Sequence, residues 1–147
     1  MGGHAWQYFV AYQPDIGKAL QELRCREFSA GRYNPVQRYM TPPITSESPA
    51  PGARHASIES AVKASGSDGT RSILDIHQIG QEPDSGVVTP LPKERLVEFF
   101  GSEEPTRETI EANDDFFDLI ERGQGVYIIA FDQGKPSEIC FAGYSYD

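Results

Sequence analysis

Apolar and polar positions along this chain fall into blocks that predict eight elements. The densest block lies at 105–146. Pro105-Thr106 opens a helix expected to run to Arg122, with Gly123 closing it. Ile110, Phe117 and Ile120 form its apolar stripe beside Phe116. Val126 to Asp132 (VYIIAFD) reads as a strand, Gln133-Gly134-Lys135-Pro136 as a turn, and Ser137 to Tyr144 (SEICFAGY) as the returning strand. This helix and hairpin should form half of the core.

Upstream, Trp6 to Tyr12 (WQYFVAY) is aromatic and β-branched, the composition of a strand. From Ile16 the residues Ile16, Leu20, Leu23 and Phe28 recur near helical spacing, and Gly31 is placed to cap that helix. Residues 32–54 have no periodicity and many breakers, so a long loop is expected there, mobile between Thr41 and Pro51. Ala56 to Ser65 predicts a short helix with Ser57 as cap and Ile58, Ala61 and Val62 inward. Ser72 to Ile79 (SILDIHQI) predicts a strand, residues 80–92 a loop, and Lys93 to Phe100 a helix ended by Gly101.

The order β, α, α, β, α, α, β, β implies an α+β fold spanning 1–147 as a single domain. Its simplest form is a four-stranded mixed or antiparallel sheet with about four helices packed mainly on one face. VYIIAF is apolar on both faces, which places the hairpin at or near the sheet centre.

Charge changes the picture more than composition does. The net charge of −9 is uneven: residues 1–54 carry +2 and residues 55–147 carry −11. An acidic total argues against nucleic acid or an anionic membrane as partner, because phosphate binding needs a concentrated basic surface. It leaves basic protein partners open. No apolar run approaches spanning length, and the opening MGGHAW lacks a signal peptide's basic flank and apolar stretch, so a cytoplasmic protein is expected. Cys25 and Cys140 stand in no metal-ligand spacing and read as two buried reduced thiols.

Several clusters are candidates for chemistry. Asp75 and His77 sit two apart in the expected second strand, where they would share a face as a carboxylate orienting a general base; a polar pair on a solvated face is the simpler reading. The run Gly66-Ser67-Asp68-Gly69-Thr70-Arg71-Ser72 could cradle an anion on backbone N–H groups, but it lacks the phosphate-loop pattern and precedes a strand. Arg24, Arg26, Arg32 and Tyr33, with Arg38 and Tyr39, mix cations with aromatics in the manner of a site for an acidic or phosphorylated ligand. Gly2-Gly3-His4 could chelate Cu(II) or Ni(II) adventitiously if Met1 were removed. No metal site or cofactor is otherwise expected.

The run from Glu94 to Glu121 holds ten carboxylates against Arg95 and Arg107. Glu108, Glu111, Asp114, Asp115 and Asp118 within it are the candidates for docking a basic protein, where charge complementarity speeds encounter and selects partners. The stretches ALQELRCREFSAGRYNP and GVYIIAFDQGKPSEICFAGYSYD resemble bacterial proteins of unassigned activity, and that resemblance carries no site residue.

Two function classes follow. The first is a non-enzymatic interaction module, comparable by analogy with small acidic α+β immunity proteins that neutralise a toxin. The second is a small enzyme or ligand-binding domain whose cleft, lined by Arg24, Arg26, Tyr33, Asp75 and His77, lies under the 32–54 loop. Unpaired sheet edges admit a homodimer.

Overall fold

The structure, a computed structural model, describes residues 3–38 and 40–147. Strand β1 (Ala5–Ala11) leads into helix α1 (Ile16–Ala30), which starts where Asp15 Oδ1 accepts the Lys18 N–H at 3.0 Å. It ends at Gly31, whose φ of 76° lets its N–H turn back onto the last carbonyls. Helix α2 (Ile58–Ser65) carries a reciprocal cap between Ser57 and Ser60. Strands β2 (Gln78–Ile79) and β3 (Val87–Pro90), helices α3 (Lys93–Phe100) and α4 (Arg107–Ala112), and strands β4 (Gly125–Asp132) and β5 (Lys135–Tyr144) complete the order.

The fold is α+β in a single domain, but the sheet has five strands rather than four, ordered β1-β5-β4-β3-β2. Neighbours β1–β5 and β5–β4 are antiparallel, whereas β4–β3 and β3–β2 are parallel. The hairpin does place β4 at the centre. Its turn is Gln133-Gly134, both at positive φ (52° and 78°), the backbone twist that two-residue hairpins favour.

Three expectations from the sequence are corrected. The strand expected at Ser72–Ile79 is mostly a 3-10 turn, Ile73–Asp75, started by Ser72, whose Oγ accepts the Leu74 N–H. Ile73, Leu74, Asp75 and Ile76 are all buried, so the apparent alternation there reflects burial all round. Strand β3 lies instead within the expected 80–92 loop, a short run covered on both faces. The long helix expected from Thr106 to Arg122 stops at Ala112. Asn113 ends it, donating from Nδ2 to Phe99 O at 2.6 Å and accepting the Asp115 N–H at 3.0 Å. A 3-10 turn, Asp115–Leu119, then buries Phe116 and Phe117 together.

The helices also cover both faces of the sheet, not mainly one. On the first face Trp6, Tyr8, Ile139 and Phe141 pack with Leu20 and Leu23 of α1 and Ala61 of α2. On the second, Val126, Ile128, Cys140 and Ala142 pack with Ile110 of α4 and with Phe116, Phe117 and Ile120. Strands apolar on both sides need this double cover. Val62, expected inward, is exposed, and so is Cys25; Cys140 is buried, and both thiols are free.

The expected 32–54 loop contains no helix or paired strand among its described residues, yet it has fixed contacts. Met40 and Ile44 are buried. Ile44 bridges the outer edge of β1, its N–H donating to Ala5 O (3.0 Å) and its carbonyl accepting the Gln7 N–H (2.9 Å). Gly52 N–H bonds Ala30 O at 2.8 Å where the loop crosses the end of α1. Among the described residues, no helix is long and apolar enough to cross a membrane.

Candidate functional site: an acidic groove beside strand β1

Alternation along β1 puts Ala5, Gln7 and Phe9 on the face that α4 and its following 3-10 turn cover. Between that cover and the sheet lie three neighbouring hollows, two against β1 and the third against the end of the β4–β5 hairpin. The first, about 250 Å³, is lined by Gln7, Phe117, Tyr144, Asp114, Asp115 and Asp118 among others. The second, about 260 Å³, is walled by Gln7, Phe9, Glu47, Arg107 and Glu111. The third, about 160 Å³, is walled by Arg107, Glu108, Asp132 and Glu138. Gln7 lines the first two and Arg107 the last two, so the hollows follow one another along the α4 side of the sheet, and together they form an acidic groove.

All five expected docking carboxylates line this groove. Helix α4 supplies Glu108 and Glu111, and the chain after Asn113 supplies Asp114, Asp115 and Asp118. Arg107 is the one cation among the lining residues, and it is engaged: Glu138 lies at 2.9 Å, Glu111 at 3.3 Å, and the guanidinium carbon sits 4.3 Å over the Phe9 ring. Burial opposes its charge, but the neighbouring carboxylates outweigh that and raise its pKa. Among the described residues, Asp114, Asp115 and Asp118 have no cation within ion-pair distance. Their field reaches the floor: the Tyr144 pKa is pushed up by burial first and then by Asp118 and Asp114. Among the described residues no three His, Cys, Asp or Glu side chains are close enough to hold a metal ion.

The other candidates are dispersed. Arg24, its pKa lowered chiefly by burial, donates to Gln21 and to Leu74 O, bracing the 3-10 turn. Arg26 reaches Ser46 Oγ at 2.8 Å and Glu27 at 3.4 Å. Arg32 forms a two-pronged pair with the buried Glu27 at 2.7 and 2.9 Å. Tyr33 is buried, stacked on Phe28, with its hydroxyl 2.8 Å from His55 Nδ1. Their polar groups turn to the chain itself.

Asp75 and His77 do not share a face, because no strand runs between them. Asp75 is buried and accepts from Thr70 N–H (2.7 Å) and Ser145 Oγ (2.5 Å); burial raises its pKa against those bonds. The His77 side chain is exposed. The Gly66–Ser72 run likewise spends its N–H groups internally, Thr70 on Asp75 and Arg71 on Ser145. Arg38 and Arg71 do meet, with Asn34, Ser65 and Asp68, around a hollow of about 560 Å³, where Arg71 is already paired with Asp147 at 3.1 Å. Tyr39 and the Gly2-bearing chelate lie outside the described residues.

Sequence reasoning found the acid wall but missed its opposite side: Gln7, Phe9, Glu47, Glu138 and Tyr144. The alternation in WQYFVAY marks Gln7 and Phe9 as sharing a face, but nothing local says that α4 packs there. No protein-family model, no curated protein and no solved structure matches this chain.

Proposed function

We propose that this protein is a non-catalytic interaction module that takes a basic segment of a partner protein into the groove between α4 and β1. The observation carrying this reading is the concentration of acid: eight carboxylates line three neighbouring hollows, and the single lining cation is already paired. Exposed ion pairs contribute only about 0–1 kcal/mol each, so the acids select and steer a basic partner more than they hold it. Phe9, Phe117 and Tyr144 supply the apolar floor on which lysine or arginine stems can lie while their charged heads meet the rim.

The test is a fluorescence anisotropy titration with a short peptide of alternating lysine and valine, beside a glutamate–valine control. Binding should be specific to the basic peptide and should weaken with salt, as screening requires. Replacing Asp114, Asp115 and Asp118 together with asparagine should weaken it about tenfold, three modest pair energies combined. Equal binding of both peptides, or an unchanged affinity in the triple variant, would overturn the proposal.

A further inference from the structure

We infer that the basic segment docks by adding a strand to the outer edge of β1, at Phe9 and Ala11; this rests on the basic-partner reading and specifies how that partner is held. In the sheet order, β1 is an edge. Its backbone groups alternate: Tyr12 N–H turns inward to Ser137 O, while Ala5 O and Gln7 N–H turn outward to Ile44. Phe9 and Ala11 share the outward parity of Gln7. Among the described residues, their N–H and C=O groups have no partner on that side.

The chain itself shows that this edge accepts an extended segment. Ile44 pairs along its first half in parallel register with Trp6. The pairing then stops, because Thr45 and Ser48 close a turn beside Phe9, with Ser48 Oγ accepting the Thr45 N–H and Thr45 O accepting the Ser48 N–H. The ladder is therefore broken off where Phe9 begins. Edge pairing supplies backbone affinity, and hollows for alternate side chains supply specificity.

Such hollows flank the open edge on both faces. Toward α4 lies the one with Phe9, Glu47 and Glu111. Toward α1 lies another, about 240 Å³, lined by Val10, Ala11, Ala19, Leu23, Glu22 and Arg26 among others. The first is acidic with its arginine engaged; the second presents Val10 and Ala11 beside Gln13, Glu22 and Arg26, with Ala19 and Leu23 buried beneath. An added strand thus turns basic residues to the acid on the α4 face, while on the other face the alternate positions meet the small Val10–Ala11 surface and the Glu22–Arg26 rim, where uncharged residues such as valine fit. A second copy of this chain is disfavoured, since each brings a net charge of −9.

The experiment compares four titrations: the lysine–valine peptide with the wild type, with Ala11→Pro and with the Asp114/Asp115/Asp118 triple asparagine variant, and a peptide N-methylated at alternate residues with the wild type. Ala11 is exposed with its N–H directed outward, so proline removes a docking donor and no bond of the fold. Ala11→Pro and N-methylation should each weaken binding about tenfold or more, with the Ala11→Pro melting temperature unchanged. The wild-type Phe9 and Ala11 amides should exchange more slowly when the peptide is bound. If proline disturbs the fold, N-methylation and amide exchange on the wild type decide the matter. Binding that ignores Ala11→Pro and N-methylation but falls in the aspartate variant overturns the edge mode and leaves the groove reading standing. Binding insensitive to all of them, or absent, overturns both. A wild-type dimer that Ala11→Pro abolishes and the peptide does not displace would give the edge to a second copy and overturn this inference.

Discussion

The Glu27–Arg32 pair offers the sharpest test of how this fold is held. Glu27 is fully buried on α1, and Arg32 retains only 11% of its side-chain exposure. Two bonds of 2.7 and 2.9 Å join them, and Arg32 also reaches Ser48 O, so the pair fastens the loop that carries Ile44 to the edge of β1. Removing Arg32 leaves the buried Glu27 only the longer contact to the half-exposed Arg26, at 3.4 Å, and breaking a buried pair in this way costs about 3–5 kcal/mol, a large share of a typical total of about 5–15 kcal/mol. With a urea slope of about 2 kcal/mol per molar, Arg32→Met should lower the unfolding midpoint by roughly 2 M. Glu27→Leu should cost less, because the exposed part of Arg32 still finds water and a carbonyl. The double variant Glu27→Leu/Arg32→Met should return close to wild type, since apolar groups of similar volume replace a buried pair with little or no net loss. Urea denaturation of all four proteins completes a double-mutant cycle. Additive losses, or single losses below about 1 kcal/mol, would refute the claim that the pair is desolvated and coupled.

Other predictions are independent of that pair. Asp75 has a folded pKa above its unfolded value, so it binds a proton more tightly when folded, and its contribution weakens as pH rises above about 4. The stability of the wild type relative to Asp75→Asn should therefore rise as pH falls from neutral toward 4; a flat or opposite trend in urea melts refutes the burial argument. A Cβ at Gly31 would lie 2.2 Å from Gly52 O at a φ of 76°, whereas one at Gly17 meets nothing closer than 3.5 Å. Thermal melts should show Gly31→Ala destabilised by about 2 kcal/mol or more and Gly17→Ala stabilised by roughly 0.5–1 kcal/mol; the reverse order would refute the crossing of loop and helix. Cys140 is buried with its thiol pushed up to about 12, so a thiol reagent followed by mass spectrometry should label Cys25 in the native protein and Cys140 only on unfolding. Equal rates would sink this.

What the sequence determined by itself was whatever short-range physics controls. Asp15 and Gly31 bound α1, Ser57 starts α2, Gly101 ends α3, and the apolar runs on either side of Gln133-Gly134 build the central hairpin; each needs only neighbours close in the chain. The acid wall was legible for the same reason, since a run of carboxylates is visible before it folds. Tertiary structure alone decided the rest. Asn113 stops a helix that its pattern would continue, because Phe99 O and two adjacent phenylalanines in the core outweigh propensity there. SILDIHQI became a turn and Val87–Pro90 a strand, because burial on every side erases the period that distinguishes the two. The groove needs β1 beside β5, α4 across the sheet and Ile44 on the edge, pairings between residues far apart in sequence. Such contacts form only once the sheet closes, and local pattern carries no information about them.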